Sequence, residues 1–258
     1  MALCPICQHA LPEATHGLCP NCGAESGGVA SSPAGPPPAP SVTTPWEARE
    51  RIGLVAALAE TTREVLTAPS RFFRAMPVTG GPGSPLLYAL LLGWFGVLVA
   101  GFYQVLWDSL AGARLSPLLA DNPELARLVG WTQGWAGFAW QAVFGGLAVL
   151  LGVLLWSGVV HLLLLAFGGG RRGLEATLRV IAFTQATSVL ALLPFCGAPV
   201  AWLWSLVVQV IGLSEAHGIG RGKAAAAVLL PLALVCCCCG ALIGVALAGA
   251  FSLVGRLQ

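Results

Sequence analysis

Four long stretches of the chain carry no charged residue: Ala75 to Trp107, Leu128 to Gly170, Val180 to Ser214 and Ala224 to Gly255. A helix needs about 20 apolar residues to cross a bilayer, so each stretch is long enough for at least one crossing. The third is interrupted by PFCGAP, Pro194 to Pro199, whose two prolines end one helix and open the next. The pattern predicts an all-α polytopic membrane protein: a five-helix transmembrane bundle with spans near 86–107, 137–167, 176–193, 199–214 and 225–254. The second span, about 46 Å long at 1.5 Å per residue, exceeds a hydrocarbon core of about 30 Å. It is expected to tilt, bend or protrude. A break into two short helices at Gly145-Gly146 would add a sixth span and put the later basic loops on both sides, so charge decides against it.

Ahead of the spans the pattern turns amphipathic. TPWE reads as a helix start, with Thr44 as N-cap, Pro45 in the first turn and Glu47 closing a capping box. Leu54, Val55, Leu58, Val65 and Leu66 share one helical face, opposite Glu60, Arg63 and Glu64, which suits a helix lying on the bilayer or against the spans. Glu47 and Arg51 would fall in that apolar stripe if the helix ran on, so a break is expected near Gly53. PSRFFRAM, Pro69 to Met76, reads either as an interfacial anchor, rings in the headgroup layer and arginines on phosphates, or as a plain connector.

Charge orients the bundle. Five spans place Arg49, Arg51, Arg63, Arg71, Arg74, Arg171, Arg172, Arg179, Arg221 and Lys223 on the amino-terminal side, with Arg114, Arg127 and Arg256 opposite. The positive-inside rule then makes the amino terminus cytoplasmic and the carboxyl terminus external. Composition agrees: 57% of the 258 residues are hydrophobic and 9% charged, against about 25% charged in soluble domains. A net charge of +2 gives no reason to expect nucleic acid. The first 30 residues hold no apolar signal-peptide core, which leaves targeting to the first span.

Those residues hold something else. Cys4-x2-Cys7 and Cys19-x2-Cys22, eleven residues apart, supply four thiolates on two short turns, the ligand set of a structural zinc ribbon over residues 1–25. His9 and His16 lie between the pairs as substitute ligands, but four cysteines already fill a tetrahedral site, and a cytosolic location argues against disulfides. Four sulfurs leave no open position for hydrolytic chemistry, and so small a segment needs its metal to fold. Residues 26–45, rich in proline, glycine and serine, read as an extended tether. Residues 46–83 form the juxtamembrane segment and 84–258 the spans.

Within the spans, Cys236, Gly240, Gly244, Ala248 and Ser252 recur every four residues, a face that lets another helix approach closely, in this chain or in a homo-oligomer. CCCC, Cys236 to Cys239, points around the whole helix and cannot converge on one ion, so its members read as small packing residues. Intramembrane polar groups are few: His161 stands without a carboxylate in its span, and Gln185 and Gln209 are placed to bond across the hairpin of spans three and four. No HExxH or GxSxG motif occurs, which points away from an enzyme. Arg171, Arg172, Arg179, Arg221 and Lys223, with Arg71 and Arg74 ahead of the first span, form a basic group suited to anionic lipid or an acidic partner.

The stretches PLLYALLLGW, HLLLLAFGGG and TLRVIAFTQATSVLALLPFCGAPVAWLWSLVVQVIGLSEAHGIGRGKA resemble the Yip domain family, membrane proteins that interact with Ypt/Rab GTPases, over about residues 69–255. The resemblance implies five spans, a cytosolic amino terminus and no catalytic residues; with a zinc ribbon in front, the arrangement resembles a bacterial one, in the inner membrane. The chain lacks the Asp-Leu-Tyr-Gly-Pro segment that eukaryotic members carry before their first span. The sequence therefore reads as a non-enzymatic membrane adaptor whose tethered zinc ribbon docks a cytosolic partner. The alternative is a transporter or channel for a small solute or ion, built on His161 and the buried glutamines.

Overall fold

The computed structural model describes residues 43–111 and 134–257, together with four two-residue strands before them; for the strands, Ala111 and residues 242–257 only the backbone is described. The chain divides into two compact units, Met1–Ser41 and Val42–Gln258. In the first, β1 (Ala2–Leu3) pairs antiparallel with β2 (Ala10–Leu11), and β3 (Gly17–Leu18) with β4 (Glu25–Ser26). The partners Ala2 and Leu11 in one hairpin become Gly17 and Ser26 in the other, so the pairing repeats with the same register. Cys4, Cys7, Cys19 and Cys22 lie in the connections, outside the described residues. The tether at 26–45 falls largely outside them too.

The second unit is helical. It opens with α1 (Arg49–Ile52), α2 (Leu54–Thr67) and α3 (Pro69–Ala75). The reciprocal bonds of the capping box form, Thr44 N–H donating to Glu47 Oε2 and Glu47 N–H to Thr44 Oγ1, both at 3.3 Å, but they brace a turn at 45–48 and α1 starts only after Ala48. The break falls at Gly53, whose φ of 90° is open to glycine and closed to most other residues. The buried stripe of α2 matches the expected one in part: Val65 is buried and Leu58 packs against the core, but Ala57 and Thr61 complete the stripe, while Leu54 and Val55 are exposed. The small side chains let the helix sit close on the bundle, with Leu58 and Leu66 half-buried beside them. The anchor reading of PSRFFRAM is corrected as well: Phe72 and Phe73 are buried and stack edge-on, with Phe72 also against Phe183, so the rings serve the protein core rather than the headgroups.

Then follow α4 (Gly83–Ala111), α5 (Gly134–Ala166), α6 (Gly173–Thr184), a 3-10 helix (Gln185–Leu192), α7 (Gly197–His217) and α8 (Arg221–Leu257). Among the described residues four helices are long and apolar enough to cross a membrane: Gly83–Leu110, Gly134–Ala166, Gly197–His217 and Arg221–Ala241. The third expected span takes another form, α6 running straight into the 3-10 helix. The change occurs where the Thr184 hydroxyl donates to Val180 O and the Thr187 hydroxyl to Thr184 O, competing for carbonyls that a regular helix would use. PFCGAP makes the turn into α7, with Phe195 at a left-handed φ of 65° and almost wholly exposed.

No break occurs at Gly145-Gly146: α5 is one helix of 33 residues, and these glycines bring it close to α4. A β-carbon at Gly145 would lie 2.9 Å from Val97 Cγ1, and one at Gly93 only 2.5 Å from Val149 Cγ1. Close approach through small residues therefore belongs to the α4–α5 contact. The expected stripe on α8 does not pack in this way at Gly240, where a β-carbon would meet nothing within 4 Å; the side chains of Gly244, Ala248 and Ser252 lie outside the described residues. Cys236 to Cys239 are all exposed. α8 instead buries Ala224, Ala227 and Val228 near its start.

Candidate functional site

Polar chemistry gathers where α4, α6 and α8 begin and α5 and α7 end. Arg179, on α6, has a fully buried side chain. Its guanidinium pairs with Glu47, donates from Nη1 to Gly81 O at 3.2 Å, and lies 4.0 Å from Glu175 Oε1. Glu175, one turn earlier, accepts the Gly81 N–H at 2.7 Å, so both peptide groups of that glycine are held. Beside this clamp, the Trp46 indole donates to Ser84 O at 2.7 Å and meets Tyr88 edge-on, and Tyr88 shares a 2.8 Å hydrogen bond with Thr62. Arg179 is thus withdrawn from the basic surface where the sequence placed it: a desolvated cation needs a fixed anion, and Glu47 supplies it.

A second network joins three helices. Thr177 Oγ1 lies 3.0 Å from His161 Nδ1 and 2.9 Å from His217 Nε2. A hydroxyl has one proton and two lone pairs, so it donates to at most one ring, and at least one imidazole donates to it. Thr177 is fully buried, which closes it to substrates; the arrangement ties α5, α6 and α7 together rather than activating a nucleophile. Thr177→Val removes both hydrogen bonds and is expected to lower stability by about 2 kcal/mol. Thermal unfolding in detergent reads this, and an unchanged midpoint would mean that the helices are held elsewhere.

Arg71, Arg74, Arg171, Arg172, Arg221 and Lys223 are exposed. Arg74 forms a two-bond pair with Glu215 at 3.0 and 3.1 Å, which raises its pKa above the ordinary value, and Arg71 lies 3.9 Å from Glu64. Of the other four, Arg171 and Arg172 sit on the loop before α6 and Arg221 and Lys223 in the first turn of α8, where two glycine-containing loops touch: a β-carbon at Gly169 would be 3.2 Å from Ile219 Cδ1, and one at Gly218 3.9 Å from Arg172 Nη2. Gln185 and Gln209 do not bond to each other. Gln209 Oε1 accepts from Trp156 Nε1 at 2.7 Å, and Gln185 makes no hydrogen bond among the described residues. Among the described residues no three His, Cys, Asp or Glu gather as a metal site.

The Yip1 domain family model matches residues 63–243. The chain belongs to the Yip1 domain family. No curated protein and no solved structure matches it. With its four long apolar helices, the Yip1 domain makes this a multi-pass integral membrane protein in contact with lipid. The match begins inside α2 and ends inside α8, so it contains Arg179, Glu175 and the His161–Thr177–His217 network. Glu47 and Trp46 lie ahead of it. The nearer of the two carboxylates on Arg179, that of Glu47, therefore comes from outside the matched segment.

Sequence reasoning missed Glu47, Glu175, Thr177 and His217 as members of these networks. One signal for Glu47 was present, its place in an apolar stripe, where a carboxylate needs a buried partner.

Proposed function

We propose that this Yip1 family protein is a non-enzymatic membrane adaptor: the helical unit anchors it, and residues 1–25 form a zinc ribbon that docks a cytosolic partner. The observation that carries the reading is the repeated hairpin. In the sequence each Cys-Pro-x-Cys segment follows directly on a short strand and precedes that strand's partner, and the two pairings share one register, which supports two like sets of two cysteines. In this reading the third apolar segment, α6 with its 3-10 helix, is a fifth crossing. The amino terminus lies in the cytoplasm of a bacterium, the carboxyl terminus outside the inner membrane, and Arg171, Arg172, Arg221 and Lys223 face anionic headgroups. Self-association is a further part of it.

The test compares the full chain with a Cys4/Cys7/Cys19/Cys22→Ser variant. The intact protein is expected to hold one zinc per chain and the variant none, with both inserting into membranes equally. A cytosolic protein should be captured by the intact chain alone. Equal zinc in the two would remove the ribbon, and equal capture would remove its docking role.

A further inference from the structure

Between α5, α6 with its 3-10 helix, and α7 lies a cavity of about 260 Å³, far larger than the roughly 10–15 Å³ that admits one water. Its wall includes Trp156, about 15 Å along α5 from Ala166 at 1.5 Å per residue, so the cavity stands well away from the ends of that helix. We propose that it binds an uncharged, hydroxyl-bearing ligand, held by the amides of Gln185 and Gln209. This goes beyond the adaptor reading and does not depend on it.

Three observations converge on that chemistry. Gln209 is 93% buried, its residual exposure being 7%; its oxygen accepts from Trp156, but its amide nitrogen donates to nothing among the described residues. Gln185 has no hydrogen bond among them at either end of its amide. In a membrane interior an unpaired amide costs several kcal/mol, so these groups require either water or a polar ligand.

The remaining polar wall is complementary. The hydroxyl protons of Thr184, Thr187 and Ser205 are donated to Val180 O, Thr184 O and Trp202 O, which leaves their oxygens as acceptors. The amides supply donors, the hydroxyls supply acceptors, and a ligand hydroxyl can answer both.

No lining residue is ionisable, so an ion would lie in the cavity without a counter-charge, and a neutral ligand is selected. Trp156 and Trp202 add broad apolar surface that suits the carbon side of a polyol. Gly152 and Trp202, on α5 and α7, are exposed, so the wall reaches the outer surface of the two helices. The hydroxyls can therefore belong to a free polyol or to the headgroup of a neutral lipid.

The experiment uses the full chain in a detergent whose headgroup carries no hydroxyl, titrated separately with glycerol, myo-inositol and dioctanoylglycerol while the thermal midpoint is followed. A saturable rise is expected with at least one probe. Glycerol or inositol would identify a free polyol, and dioctanoylglycerol alone a lipid-borne one. Gln185→Leu is expected to weaken half-saturation at least tenfold. Should that variant fail to fold, Ser205→Ala serves in its place, with about a fivefold loss from one acceptor. A linear rise, as excluded cosolutes give, or saturation unchanged in the variant that folds, would overturn the proposal.

Discussion

Glu47→Ala is expected to destabilise the helical unit by about 3 kcal/mol, toward the lower end of the 3–5 kcal/mol that follows loss of one partner from a buried ion pair. The reason is Arg179. Its side chain has no exposure, whereas Glu47 is 15% exposed, so removing the carboxylate strands the cation where water cannot replace it. Glu175, at 4.0 Å, and Gly81 O remain and soften the loss. Glu47→Gln keeps a hydrogen-bond acceptor and falls between the two. The combination Glu47→Ala with Arg179→Met removes both charges and is expected to recover most of the thermal midpoint, because an apolar replacement leaves nothing unpaired. Equal melting of Glu47→Ala and the parent would show that the pair is not a lock.

Gly197→Ala carries the other large effect. A β-carbon there would stand 2.5 Å from Leu190 O and 3.0 Å from Ala191 C and O. These are backbone atoms of the 3-10 helix, which cannot swing aside as a side-chain tip can. Relief requires the two arms of the hairpin to separate, although Gly197 N–H is bonded to Leu193 O at 2.9 Å. The expected loss is about 3 kcal/mol, the upper part of the range for overpacked sites, with a fall in monodisperse protein on size exclusion. Gly240→Ala is the matched control. It adds the same methyl to an exposed helix position with nothing within 4 Å and is expected to be neutral or to stabilise by about 0.5–1 kcal/mol. Similar behaviour of the two variants would mean that the hairpin closes less tightly than the structure shows.

What was legible in the sequence was chemistry local to it. Thr44 and Glu47 are three residues apart, and their reciprocal bonds follow from spacing alone. Gly53 was marked by a clash of periodicities, and the hairpin before Gly197 by its prolines. Four long helices followed from runs without charge. The regular third span failed because two threonine hydroxyls redirect carbonyl bonds, a competition that hydropathy does not register. Arg179 was misplaced because a lone arginine beside an apolar run looks the same whether it faces lipid phosphate or a carboxylate 132 positions away. Phe72 and Phe73 were misplaced for a related reason. Rings between arginines suit a membrane surface, and only the tertiary fit against Phe183 takes them inward. Of the candidate site, the glutamines were visible as rare polar groups, but the cavity they line arises from helices that meet far apart in sequence.

The clamp on Gly81 has a consequence for synthesis. The chain emerges amino terminus first, so Glu47, Gly81 and the first apolar helix all exist before Glu175 and Arg179 do. At about 5–20 residues per second, the interval is on the order of ten seconds. Throughout it, the amphipathic entry helices lack the cation that later fastens them, and their carboxylate still faces water. The order of translation thus makes the third apolar segment the step that closes the clamp, and the earlier segments wait for it at the membrane.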